Sequence, residues 1–220
     1  MRASVSKAEI ESAIATRFGS AFKLLEKPPA VVLSTGIPEV DYVAGGFPRG
    51  AITEVFGPAS SGRTSFMLSA LAHATGHEEV CVLIDTHDAF DPLTAHKAGV
   101  NLDQLFWVRC SAKMEHAFKA ADLLLQGGGF GFVVLDLGDV PSQDAKRIIS
   151  SWWYRFRRTV ENTPTVFLVI AEESCVRSCA SLALKMNRAS DVWSSVNNEF
   201  HSNDTLKGSI NERSSRLLKK

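Results

Sequence analysis

The stretch Gly57-Pro58-Ala59-Ser60-Ser61-Gly62-Arg63-Thr64-Ser65 has the residue types and spacing of a phosphate-binding loop, G-x-x-x-x-G-K-[ST], with arginine standing where the pattern has lysine. The two glycines let the backbone fold its N–H groups around phosphate oxygens. The helix start that follows adds a positive dipole end, and the Thr64 hydroxyl has the place of a Mg²⁺ ligand. Arg63 brings positive charge to the same spot, but as a planar fork rather than a compact ammonium, so it can grip phosphate and still misplace the terminal group. Farther along, Phe132-Val133-Val134-Leu135-Asp136 is an apolar run ending in a carboxylate, the pattern of a Walker B site, whose aspartate holds Mg²⁺ beside a nucleotide. Thr64 and Asp136 are therefore the metal-ligand candidates, and Gly57, Ser60, Ser61, Gly62, Arg63, Thr64 and Ser65 the nucleotide-binding ones.

These motifs need a scaffold, and the pattern of the middle of the chain supplies one. Apolar strand-like runs at 52–56, 80–84, 105–108, 132–136, 166–171 and 182–186 alternate with helical patterns at 64–75, 92–98, 112–126 and 143–160. Strands alternating with crossover helices predict an α/β fold, a mainly parallel sheet with helices on both faces. A phosphate loop between a strand and a helix of such a sheet is a P-loop NTPase core. Before it, Ser6 and Glu9 have capping-box spacing and Ile10, Ile14, Phe18 and Phe22 recur every fourth residue, which predicts an N-terminal helix with one apolar stripe. Pro28 and Pro29 end that element. After about residue 188 the chain becomes polar and serine- and asparagine-rich, apart from Trp193 and Phe200. The expected organisation is an N-terminal helix and linker over 1–29, the core over 30–188 and a polar, flexible tail over 189–220.

Composition narrows the partners. Twenty-four Lys plus Arg balance 24 Asp plus Glu, so no global field draws the chain to nucleic acid or membrane. The apolar runs are too short for a membrane helix, and residues 1–27 lack a secretory core, which points to the cytoplasm. Cys81, Cys110, Cys175 and Cys179 have no paired ligand spacing and read as thiols. One local charge excess exists: residues 141–160 carry five positive groups and one negative. There Trp152, Trp153 and Phe156 fall on one helical face and read as core, leaving Arg147, Arg155, Arg157 and Arg158 as candidate contacts for DNA or an acidic partner.

With those motifs in place, the chain resembles the RecA recombinase family over residues 7–188. Ser34-Thr35-Gly36 with Asp41 and Gly45-Gly46-Phe47-Pro48-Arg49-Gly50 is similar to the family's lead-in to the P-loop. Ile84-Asp85-Thr86-His87-Asp88-Ala89-Phe90-Asp91-Pro92 resembles its segment carrying the catalytic glutamate. The resemblance implies a RecA-like fold, ATP or ADP with Mg²⁺ as ligand, and an adenine contact at Asp91. It also exposes departures. The water-activating glutamate is replaced by His87 with Asp88 next to it, the ring-stacking aromatic by Thr94, and the γ-phosphate-sensing glutamine by Glu172. His87, Asp88 and Glu172 are thus the catalytic candidates. The family's two DNA-holding loops correspond to the short stretches 137–143 and 173–179, neither of them basic enough for a groove.

A retained core with altered catalytic positions and shortened loops resembles the ImuA-type branch, RecA-related accessory factors of damage-induced, mutagenic translesion synthesis in the SOS response. That implies RecA itself, or further copies of this chain, at the Ile10, Ile14, Phe18 and Phe22 stripe. It also implies an ImuB-type inactive polymerase and an error-prone polymerase as partners, with inefficient ATPase activity and weak or indirect DNA contact. The alternative is a RecA-type recombinase or DNA-dependent ATPase with a variant Walker A motif.

Overall fold

The structure is a computed structural model and describes residues 9, 12, 13, 16, 31–146, 148, 150–187, 209 and 210. The chain falls into two compact units, Met1–Ala30 and Val31–Lys220. In the first, Glu9, Ser12, Ala13 and Thr16 are helical and exposed, and the Thr16 hydroxyl donates to the Ser12 carbonyl at 2.8 Å. The stripe Ile10, Ile14, Phe18 and Phe22 lies outside the described residues, as do Arg147, Trp193 and Phe200.

The second unit opens with β1 (Val32–Leu33), α1 (Pro38–Ala44) and β2 (Phe47–Pro48), a small lead-in whose two strands pair antiparallel. The Ser34-Thr35-Gly36 turn is fixed by Asp41, which accepts from Ser34 Oγ at 2.5 Å and from the Thr35 N–H at 2.8 Å. The main sheet follows: β3 (Ala51–Phe56), β4 (Cys81–Asp85), β5 (Leu105–Arg109), β6 (Phe132–Leu137), β7 (Val166–Ala171), β8 (Ala180–Lys185) and β9 (Ser209–Ile210). Their order is β5-β4-β6-β7-β3-β8-β9. All neighbours are parallel except β9, which pairs antiparallel with β8. Strand β9 lies inside the stretch whose polar composition reads as tail.

Strand β7 is apolar throughout, and β4 and β6 are apolar up to Asp85 and Asp136, because both faces are covered. On one face α2 (Arg63–Gly76) and α3 (Pro92–Lys97) bury Phe66, Met67, Leu71 and Ala95 against Val55, Leu83, Val134 and Leu168. On the other, α4 (Met114–Gly127) and α6 (Ser150–Val160) bury Phe118, Trp153, Phe156 and Val160 against Ile52, Val133, Phe167 and Val169. Phe156 is the hub, with Phe118 stacked at 5.7 Å and Phe167 edge-on at 5.4 Å. The helical pattern at 143–160 is realised as two helices, α5 (Ser142–Lys146) and α6. Between them the Ile148 N–H bonds back only three residues, to Ala145, and serines 150 and 151 favour a fresh helix start.

The parallel β7–β8 connection is short. Residues 172–179 return across β3 with only the 3₁₀ turn Arg177–Cys179 in place of a helix. Glu54, in the middle of β3 and wholly buried, holds it: Oε2 accepts from Ser174 Oγ at 2.7 Å, and Oε1 from the Cys175 and Val176 N–H groups at 2.6 and 2.8 Å. Among the described residues no helix is long and apolar enough to cross a membrane, and all four cysteines are buried and free. Burial pushes the Cys81 thiol up to about 12 and raises Cys110, Cys175 and Cys179 as well, so these are poor nucleophiles.

Candidate nucleotide site

The carboxyl ends of β3, β4, β6 and β7 meet at one edge of the sheet, and the phosphate-loop residues leave from β3 there. Gly57 starts the loop where no side chain fits: a Cβ would lie 2.3 Å from the Met186 carbonyl oxygen and 2.8 Å from Ser61 Oγ. Gly62 closes it at φ +91°, directly before α2, a conformation glycine adopts without penalty. The α2 N-terminus has no side-chain cap, so its first N–H groups are open to a ligand. Ser61 Oγ is buried in the loop without a partner. An uncapped helix start and an orphaned hydroxyl inside a loop that excludes a Cβ form a cradle that fits a phosphate group. Pro58, Ala59, Ser60, Thr64 and Ser65 are exposed around it.

Asp136 reaches the same edge from β6. Its Oδ1 accepts from the Gly138 N–H at 2.8 Å. Burial pushes its carboxyl up to about 6; the Gly138 N–H and Arg63 oppose this, and Asp85 and Asp139 add to it. The Arg63 guanidinium donates to the Gly138 carbonyl at 3.3 Å, so it leans on the Walker B strand rather than standing free over the loop. As a Mg²⁺ site the protein offers one carboxylate with Oδ1 already accepting a hydrogen bond and one exposed hydroxyl, and the Arg63 guanidinium beside them opposes a second cation.

The segment after β4 is built around Asp85, which is buried and accepts from the Ala89 N–H at 3.1 Å, the Phe90 N–H at 2.9 Å and Trp107 Nε1 at 3.2 Å. Sequence reasoning did not single out Asp85 as an anchor; a carboxylate ending an apolar strand was the available signal. The turn it holds directs the next residues apart. Asp88, at φ +59°, is drawn toward β5, accepting from Arg109 Nη2 and the Ser111 N–H, both at 3.2 Å. His87 is half-buried, and its Nδ1 has no partner; the Thr86 hydroxyl is buried and equally unpaired. Asp91 caps α3, accepting from the Leu93 N–H at 3.2 Å, the Thr94 N–H at 3.0 Å and Thr94 Oγ1 at 2.5 Å. These bonds hold its carboxyl below the usual carboxylate range. Glu172 is exposed, one residue beyond Ala171, whose carbonyl accepts the Gly57 N–H at 3.3 Å, so it does stand beside the loop.

The arginines of α6 lie on the sheet face that α4 covers. Arg155 is committed to Asp122 of α4 through two bonds, at 2.6 and 2.5 Å, and lies over the Trp152 ring; Arg157 and Arg158 are exposed.

Comparison with known proteins agrees with this geometry. The RecA N-terminal domain family matches residues 7–144. Protein RecA of Rickettsia massiliae (strain Mtu5) is 38% identical over 122 residues, which are 54% of this chain and 35% of that protein, so the chain spans about a third of its relative's length. The crystal structure of the RadB recombinase superposes with a TM-score of 0.60 at 18% identity, covering 73% of this chain and 85% of that one, a likeness of fold. With the family matched across more than half its length, and the loop and Walker B strand at the same sheet edge, the chain belongs to the RecA N-terminal domain family.

Proposed function

We propose that this chain is a RecA-related accessory protein of the DNA-damage response, which binds a nucleotide at the loop 57–65, turns it over inefficiently and acts through protein contacts. The observation that carries this reading is the fate of the position after β4. The loop keeps the features of a phosphate cradle, but Asp88 accepts from Arg109 and Ser111, which turns its carboxylate toward β5 instead of leaving it free to orient an attacking water. The connection 172–179 adds support, because Glu54 ties it down and leaves no length for a DNA-holding loop.

Such a protein works in the cytoplasm, with ATP or ADP stabilising its fold or assembly by mass action. Its partners by resemblance are RecA, an ImuB-type inactive polymerase and an error-prone polymerase in translesion synthesis. A RecA-type ATPase is the second reading, and one observation favours it: His87, at the position of the family's water-activating glutamate, keeps an Nδ1 with no hydrogen-bond partner. The partner claim is tested by passing the purified full chain over immobilised RecA. Retention is expected, and Phe22→Asp should remove it; a wild-type chain that flows through overturns the RecA contact.

A further inference from the structure

Arg63 is the first residue of α2, yet its guanidinium is turned to the end of β6, with Nη1 donating to the Gly138 carbonyl at 3.3 Å. The same glycine donates its N–H to Asp136 Oδ1 at 2.8 Å. A Cβ placed on Gly138 would lie 2.9 Å from Asp136 Oδ1 and 3.6 Å from Arg63 Nη1, so the guanidinium and the carboxylate flank one residue. A cation is thus already in place at the Walker B strand.

We propose that Arg63 is the resident cation of this site and takes the place of a divalent metal, so that the site binds a nucleotide's di- or triphosphate without Mg²⁺. This rests on the reading that the loop holds a nucleotide. A Mg²⁺ ion binds through one or two carboxylates plus substrate phosphates and keeps a strict octahedron of oxygens. Here Asp136 already accepts the Gly138 N–H, Asp85 accepts three bonds of its own, and Asp139 and Glu172 are exposed to water. A metal would also enter against the Arg63 charge. A guanidinium, in contrast, offers paired N–H donors that match two phosphate oxygens and cannot lose its charge. The loop supplies the rest, through the open α2 amides and the unpartnered Ser61 hydroxyl. Geometry therefore gives a phosphate two kinds of partner, neither of them a metal.

The test is calorimetric titration of the full chain with ADP, once with Mg²⁺ and once with a chelator. The wild-type Kd should agree within about threefold between the two buffers. Arg63→Lys, whose ammonium is a compact point charge, should bind about tenfold more weakly with chelator than with Mg²⁺. Arg63→Met should lose binding in both while keeping the wild-type melting temperature. A wild-type Kd that weakens tenfold or more on chelation overturns the proposal, as does an Arg63→Met variant that binds like wild type. No binding of ADP by the wild type in either buffer is a different failure, because it removes the nucleotide reading on which the proposal stands.

Discussion

Replacing Glu54 by alanine should be among the most damaging single changes in the second unit. The side chain is wholly buried in a central strand, and its two oxygens satisfy the Ser174 hydroxyl and the N–H groups of Cys175 and Val176. Alanine leaves those two buried amides without partners, at about 1–3 kcal/mol each, and opens a void the size of the lost side chain. The sum is a loss of about 3–5 kcal/mol, a large share of the stability of a typical domain. Glutamine separates the hydrogen bonds from the charge. Both amides share Oε1, so one amide oxygen can serve them while the NH₂ group faces Ser174 Oγ, and the loss should be only about 1 kcal/mol. Urea unfolding of the full chain, followed by tryptophan fluorescence, measures both variants against wild type. If alanine and glutamine cost the same, or alanine costs less than about 1 kcal/mol, the connection 172–179 is not held by Glu54 and the argument for a closed loop fails.

Two further changes probe the site itself. Asp136 has a carboxyl raised to about 6 in the fold against an ordinary value of 3.8, so the folded state binds the proton more tightly. Its stabilising contribution is full below about pH 4 and is lost as pH rises through about 6. A shift of that size is worth up to about 3 kcal/mol, reduced to about 1–2 because the side chain keeps part of its surface in water. Asp136→Asn should therefore raise stability at neutral pH and flatten the urea midpoint between about pH 4 and pH 7; an unchanged slope would count against the buried carboxylate. Gly57→Ala should cost about 2–3 kcal/mol and abolish ADP binding, because its Cβ would meet the Met186 carbonyl at 2.3 Å. Gly76→Ala, with nothing within 4 Å, is the matched control, and equal melting temperatures for the two would contradict the packing argument.

Much of this was legible in the sequence, for reasons that can be named. The strands β3, β4, β6 and β7 are buried on both faces, so they appear as mainly apolar runs, unbroken in β7 and ending in or near a carboxylate in β4 and β6, and a loop with two glycines between such a strand and a helix announces itself. The aromatics of α6 were readable as core because Trp153 and Phe156 share a helical face. What the sequence hid is relational. Glu54 looks like any polar residue in a strand, since its partners lie at 174–176, more than a hundred positions away. Asp91 and Asp88 each look free to serve a ligand; only coordinates show one spent on a helix cap and the other on Arg109. Likewise Arg155 belongs to an unpaired basic cluster on paper and to Asp122 in space. The small elements β1, α1 and β2 were missed because none is long enough to show a period.

The central claim is a phosphate site that binds without efficient turnover. It is tested most directly by measuring phosphate release from ATP by the purified full chain, with Mg²⁺, with and without single-stranded DNA. Release at background in both conditions, from a protein that calorimetry shows to bind ADP, is the predicted result. Release that rises with DNA and disappears in Asp136→Ala would contradict it, and would make His87 the base of a working ATPase.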